Sequence, residues 1–212
     1  MGLLDFFSRH ANEIGEATLE HIWLTTAAMA LAVAVGVPLG ILSARRPGFA
    51  KGILGGANIA ETIPSLALFG FLLPVPWLGE RSDRLAIAAL ALYALLPIIR
   101  NTATGILSID PAVRESAKAM GMTPRQILFQ VELPLSLSTL LAGVRIATVL
   151  TIGIATIAAA VGAGGLGEFI FRGLAMVNNQ LILAGAIPAA LLAIAADLFL
   201  GILERRLRPA GR

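Results

Sequence analysis

The sequence contains no cysteine, which excludes disulfides, thiolate metal sites and a thiol nucleophile. Charge is scarce too. Asp, Glu, Lys and Arg make up 14% of the 212 residues, against roughly 25% in an ordinary globular chain. With 16 basic and 13 acidic residues the net charge is +3, so there is no basic surface of the kind that binds nucleic acid. The two histidines, His10 and His21, show neither an H-E-x-x-H spacing nor a Ser–Asp partner set, so no catalytic residue and no metal site is expected. Both are expected at the membrane interface, as is Trp23. No G-x-x-x-x-G-K-[ST] stretch occurs, and the run Gly162–Gly167 lacks the Lys-Ser/Thr of a phosphate-cradling loop. Nucleotide hydrolysis, if the protein uses it, belongs to another polypeptide.

What the chain does have is apolar surface. AVILMFWYC residues make up 57%, glycine adds 22 residues, and the mean hydropathy is +0.85. A water-soluble body of this size cannot hide that much apolar area, so lipid is the expected solvent. The acidic N-terminal stretch (Asp5, Glu13, Glu16, Glu20) has no basic region ahead of an apolar core, and a cleavable signal is not expected.

A bilayer core needs about 20 mostly apolar residues per helix. Five stretches qualify: 22–43, 53–76, 85–104, 138–161 and 181–203. The second contains Glu61 and three prolines; the fourth is interrupted by Arg145; the fifth carries Asp197 near its end. An odd number of spans puts the termini on opposite sides. One side collects Arg45, Arg46, Lys51, Arg100, Arg114, Lys118, Arg125, Arg205, Arg206, Arg208 and Arg212, and the other Arg9, Arg81, Arg84 and Arg172. The bias places the C-terminus in the cytoplasm and the N-terminus outside. Residues 1–18 form an extracellular segment, 19–204 the transmembrane domain and 205–212 a basic tail. After the fourth span, Gly162–Gly167 reads as the flexible entry to an external re-entrant helix over 168–176. Gly36 and Gly40 match the G-x-x-x-G spacing that lets helices approach closely.

Residues 109–134 are too polar to cross and too punctuated for a plain loop. Asp110 N-caps a helix with Pro111 in its first position. Val113, Ala117 and Met120 make an apolar stripe, and Gly121 suits a left-handed stop. Thr123 and Gln126 form a capping box for a second short helix, and Pro134 marks the entry to the next span. Acids inside spans are functional candidates by default. Asp197 is expected to snorkel or pair among Arg205, Arg206 and Arg208. Arg145 and Arg100 are expected to act as anchors. Glu61, near Asn58, Thr62 and Ser65, fits a solute pathway and an interhelical hydrogen bond equally.

The spacing of Glu115-Ser116-Ala117, Gly121, Ile127 and Leu133-Pro134 resembles the cytoplasmic EAA loop of binding-protein-dependent ABC import permeases, with Ser116 where Ala is usual and Val131-Glu132 where I-x is usual. The stretches Thr62-Ile63-Pro64-Ser65-Leu66-Ala67-Leu68, Arg100-Asn101-Thr102 and Gly162–Gly167, with the run from Phe171 to Pro188, resemble the osmoprotectant subgroup, apart from Glu61 in place of Gln. The resemblance implies an all-α integral membrane protein with the five-helix type I ABC importer (MetI-like) permease fold and a two-helix coupling segment. It implies a permease for glycine betaine, choline or carnitine in a bacterial inner membrane. Glu115, Ser116, Ala117, Gly121, Leu133 and Pro134 would serve coupling; Asn58, Glu61, Thr62, Ser65 and Asn101 would supply polar groups to the pathway or between helices. Implied partners are a second permease subunit (identical or paralogous), two cytoplasmic ATP-binding subunits that hold ATP and Mg, and an extracellular or periplasmic solute-binding protein. No cofactor is implied on this chain. Two alternatives stand beside this reading: an import permease for another small solute such as an amino acid, and a self-contained secondary transporter or channel, which would call for inverted repeats that the sequence does not display.

Overall fold

The computed structural model describes residues 3–207, and all the regular secondary structure in that range is helical. Its helices are α1 (Leu3–Arg9), α2 (Ala11–Arg45), α3 (Pro47–Thr62), α4 (Ser65–Leu72), α5 (Ser82–Leu107), α6 (Pro111–Ala119), α7 (Pro124–Gln126), α8 (Leu133–Ala158), α9 (Gly167–Ala175) and α10 (Asn179–Arg206). A π-helical segment, Ile127–Glu132, joins α7 to α8. Arg208 and Arg212 of the basic tail lie outside the described residues.

Four helices are long and apolar enough to cross a membrane: α2, α5, the continuous Pro124–Val161 and α10. The expected second span is not one rod. α3 and α4 meet at 103°, and they supply a fifth crossing only if the bent pair counts as one. Proline drives the residue before it out of the helical region. Ile63 is accordingly extended, with ψ 129°, and its carbonyl accepts a hydrogen bond from the Tyr93 hydroxyl.

The core forms around α5, whose Leu85, Ala86, Ala89, Leu90, Ala94 and Ile98 are buried with Leu24, Ala28 and Ala32 of α2 and Ala147 and Ala155 of α8. Small residues permit this. A β-carbon at Gly36 would sit 2.9 Å from the Ile98 side chain, and one at Gly40 would sit 2.5 Å from Thr102 Cβ. The G-x-x-x-G spacing is thus the seam between α2 and α5. In a solvent with no hydrophobic effect between helices, such close contact is what holds them together.

At one end α9 folds back over the bundle. Leu166 and Phe169 pack with Leu181, Ala184 and Ala189 of α10 and with Phe6, Ile14 and Ala17 of α1 and α2. The Glu20 carboxylate accepts the Gly165 amide at 3.0 Å. His21, near the start of the first long helix, is enclosed by protein. It is fully buried beneath this loop, and its Nε2 donates to the Ile152 carbonyl at 3.0 Å. The glycines at 164 and 165 bring the loop backbone down onto Glu20 and His21, closing over what would otherwise be the mouth of the span. His10 stacks on Phe6 with ring centroids 4.2 Å apart.

Candidate functional site

At the end of the bundle opposite α9, α6 stands out as a short helix with explicit limits. The Asp110 carboxylate accepts the Ala112 amide at 2.9 Å, with Pro111 in the first turn. Gly121 ends it at φ +81°. The Gly121 amide reaches the Lys118 carbonyl at 2.9 Å and the Met122 amide the Ala117 carbonyl at 3.2 Å, so two otherwise orphaned carbonyls are satisfied. The Thr123–Gln126 capping box follows, the Thr123 amide donating to Gln126 Oε1 at 2.7 Å and the Gln126 amide to Thr123 Oγ1 at 3.4 Å.

One expectation changes here. The second short helix is not separate, because α7 runs through the π segment into α8 as one helix, Pro124–Val161. The physical reason is Pro134. A proline inside a helix has no amide to donate, and its ring meets the carbonyl four residues back. A π turn just before it opens that place: the Leu133 amide bonds to the Leu128 carbonyl, five residues back. The apolar stripe of Val113, Ala117 and Met120 is largely uncovered. Ala117 alone is buried, while Val113 is exposed and Met120 is 74% exposed. α6 therefore presents apolar Val113 and Met120 together with Glu115, Ser116 and Lys118 to its surroundings. The Glu115 carboxylate has no hydrogen-bond or ionic partner among the described residues, and the Ser116 hydroxyl donates back to the Ala112 carbonyl. Leu133 and Pro134 lie apart from this surface, at the π–α junction.

The residue missing from the expected set is Glu132. It is 5% exposed. Its Oε2 accepts from Arg45 Nη2 at 2.8 Å and its Oε1 from Arg114 Nε at 2.9 Å. Charge-assisted bonds of this kind are the strong ones. An acid one residue ahead of Leu-Pro in an otherwise apolar run was the available signal, but its partners, 87 and 18 residues away, lie beyond any local pattern.

The polar residues expected in a pathway separate into two groups. Asn58, Glu61 and Thr62 are exposed along the last turns of α3, with Ser65 across the break. Asn58 accepts from Arg100 at 3.2 Å, and Thr62 bonds to its own helix. Glu61 makes no interhelical hydrogen bond among the described residues. Asn101 lies elsewhere: it donates to the Pro97 carbonyl at 2.8 Å on its own helix and packs against Gly143 of α8.

Asp197 does not pair among the terminal arginines. It takes the Arg145 guanidinium two-handed, Nε to Oδ1 at 2.6 Å and Nη2 to Oδ2 at 2.7 Å, with Glu204 3.4 Å from Nη1. The two acids are seven residues apart on α10, so one face of the helix brings both to α8.

Comparison with known proteins gives this arrangement its context. The chain is 47% identical over 205 residues to the glycine betaine/carnitine/choline transport system permease protein OpuCD of Bacillus subtilis, covering 96% of this chain and 88% of that one. It is 42% identical to the carnitine transport permease protein OpuCB of Listeria monocytogenes, covering 98% and 94%. It is 40% identical to the osmoprotectant import permease protein OsmW of Salmonella typhimurium, covering 100% and 99%. The fold matches that of a chain of the inward-facing MetNI methionine ABC transporter with a TM-score of 0.83 at 23% identity, over 92% of this chain and 96% of that one. The architecture is therefore the all-helical MetI-like type I ABC permease fold. Residues 36–209 match the family described as the binding-protein-dependent transport system inner membrane component, and the chain belongs to that family.

Proposed function

We propose that the chain is the membrane-spanning permease of an ATP-driven importer for quaternary-amine osmoprotectants: glycine betaine, choline and carnitine. The observation that carries the solute class is the naming of near-full-length relatives for carnitine, choline and glycine betaine transport, at 38–47% identity. A methionine-type solute has only likeness of fold at 23% identity behind it. Five crossings, with the bent α3–α4 pair as the second, put the N-terminus outside and the C-terminus in the cytoplasm. The transmembrane domain then spans 19–204, with the coupling loop at 109–134.

In this reading α6 is the coupling helix. Its exposed Glu115, Ser116 and apolar Met120 meet a groove of a separate ATPase subunit, which holds ATP and Mg. Ala117 seats the helix and Gly121 turns the chain out of it. Leu133 and Pro134 stand where the loop enters the fourth crossing. Five helices cannot enclose a pore, so a second permease subunit, identical or paralogous, completes the path, and a solute-binding protein delivers solute from outside. Asn58, Glu61, Thr62 and Ser65 face that path from the α3–α4 break, where irregular backbone is tolerated in a membrane only against protein or a water-filled cavity. Asn101 supplies a polar contact between α5 and α8.

Reconstitution into liposomes with the ATPase and the binding protein tests this. ATP-dependent uptake of choline, carnitine or glycine betaine is expected, with methionine ignored. Uptake by the lone chain without ATP would replace the importer with a self-contained transporter.

A further inference from the structure

The carboxylate of Glu132 is the meeting point of four helices. Arg45 is the last residue of α2; it donates to Glu132 at 2.8 Å and to the Pro124 carbonyl at 3.1 Å. Arg114, in the second turn of α6, donates through Nε to Glu132 at 2.9 Å, through Nη1 to the Ile109 carbonyl at 3.4 Å and through Nη2 to the Ile106 carbonyl near the end of α5. Glu132 itself closes the π segment and leads directly into α8. One buried acid thus ties the exposed coupling helix to the ends of α2, α5 and α8.

The position of this clamp matters mechanically. Between α7 and α8 the hydrogen-bond ladder is irregular: a π segment, then Pro134. Irregularities of this kind are where helices bend, so a push on α6 and α7 alone would be absorbed at the joint. The clamp bridges the π turns: Arg45 holds the carbonyl of Pro124 ahead of them and the carboxylate of Glu132, their last residue, just before α8 begins. Leaving a buried carboxylate unpaired is strongly unfavourable, so the parts it connects move together. The planar guanidinium of Arg114, with donors aimed at Glu132 and at two carbonyls at once, is a fork that lysine cannot imitate.

We propose that Glu132 is a positioning residue for energy coupling: with Arg45 and Arg114 it makes a displacement of α6 a concerted displacement of the α2, α5 and α8 ends. This rests on the reading of α6 as the ATPase-binding helix. Glu132 is buried, so its part in this proposal is to pass on the movement that docking starts rather than to dock.

The test uses the full complex in proteoliposomes, with Glu132→Gln, Arg114→Gln, Arg114→Lys and Glu115→Ala each placed in every copy of this chain. Complex yield, stimulation of ATP hydrolysis by glycine-betaine-loaded binding protein, and glycine betaine moved per ATP are measured together. Glu132→Gln keeps the side-chain shape and removes the charge. Stimulation and solute moved per ATP are expected to fall about tenfold, within the usual range of coupling between sites, at unchanged complex yield. Arg114→Gln should reproduce this, and it carries the test if Glu132→Gln is not produced. Arg114→Lys should fail to restore coupling although it restores the charge. A double Glu132→Gln, Arg114→Gln variant should be no worse than either single one, as expected of groups acting as one unit. Wild-type coupling in Glu132→Gln alongside uncoupling in Glu115→Ala would overturn the clamp and leave the coupling-helix reading standing. Wild-type coupling in both would overturn the two together. Loss of complex yield in both Glu132→Gln and Arg114→Gln would reduce the clamp to a structural support and overturn the proposal.

Discussion

At Gly121 the chain turns with φ +81° and open space around the missing side chain. Crowding is therefore not the constraint there; the backbone is. A β-carbon in the left-handed region costs about 1–2 kcal/mol, and a branched one would push Met122 off the Ala117 carbonyl. Gly121→Val is expected to insert normally while weakening ATPase association, read as ATPase recovered on the purified permease. Glu115→Ala should do the same by removing an exposed charge that has no partner among the described residues. Ser116→Ala should be nearly silent, since the hydroxyl only returns to its own helix. Full ATPase recovery with both Gly121→Val and Glu115→Ala would remove α6 from the interface. Glu61 makes a different case. Because its carboxylate has no partner among the described residues, Glu61→Gln should leave complex yield unchanged. In the pathway proposed above it should slow uptake of cationic choline more than that of zwitterionic glycine betaine. Equal uptake of the two in side-by-side assays would take Glu61 out of the path.

Among the elements, the α2–α5 seam and the α8–α10 ion pair hold the bundle by opposite means. At Gly40 a β-carbon would meet Thr102 at 2.5 Å and the Ile99 carbonyl at 2.9 Å, so the backbone itself must move to admit one. Overpacking of this kind costs about 1–3 kcal/mol. Gly40→Val is expected to lower the thermal midpoint in detergent by about 2–4 °C for each kcal/mol; an unchanged midpoint would mean that the helices do not meet here. Arg145 and Asp197 form the opposite case, a charged pair inside two candidate spans. Asp197→Asn removes the charge and one of the two acceptors facing the arginine, leaving the more distant Glu204 as its ionic partner, and lower membrane yield is expected. Adding Arg145→Gln should recover the yield, because a charge in a span is costly mainly when its partner is gone. Most of these elements were legible in the sequence. Mostly apolar runs gave the four long helices, and Asp110, Pro111 and Gly121 gave the limits of α6 and Thr123 and Gln126 the start of α7, since each acts on backbone within a turn of itself. The right-angle break at Ile63–Pro64 was less so, because hydropathy sees composition and not direction. The π segment, the Glu132 clamp and the partner of Asp197 were not legible, since each depends on residues brought together only by tertiary packing.

For the whole molecule, the two ends of the bundle differ in build and in charge. The α9 end closes over itself with an acidic excess: Asp5, Glu13, Glu16, Glu20, Glu80, Asp83 and Glu168 against four arginines. The α6 end gathers the basic residues: Arg45, Arg46, Lys51, Arg100, Arg114, Lys118, Arg125, Arg205 and Arg206 among the described residues. That asymmetry is what the positive-inside rule reads, and it makes orientation testable with two thiols in a chain that has none of its own. Glu80, just ahead of α5, and Lys118, on α6 beyond the other end of α5, are both exposed, and the 26 residues of α5 at about 1.5 Å each exceed a hydrocarbon core of about 30 Å. A membrane-impermeant maleimide should label Glu80→Cys in intact spheroplasts and Lys118→Cys only after permeabilisation. Labelling of Lys118→Cys should also fall when the ATPase is co-expressed, because α6 is then covered. The reverse labelling pattern would invert the molecule and leave α6 facing away from ATP, so no rearrangement of loop contacts could rescue the importer reading. Equal labelling of Lys118→Cys with and without the ATPase would preserve the orientation and place the docking surface elsewhere on the cytoplasmic face.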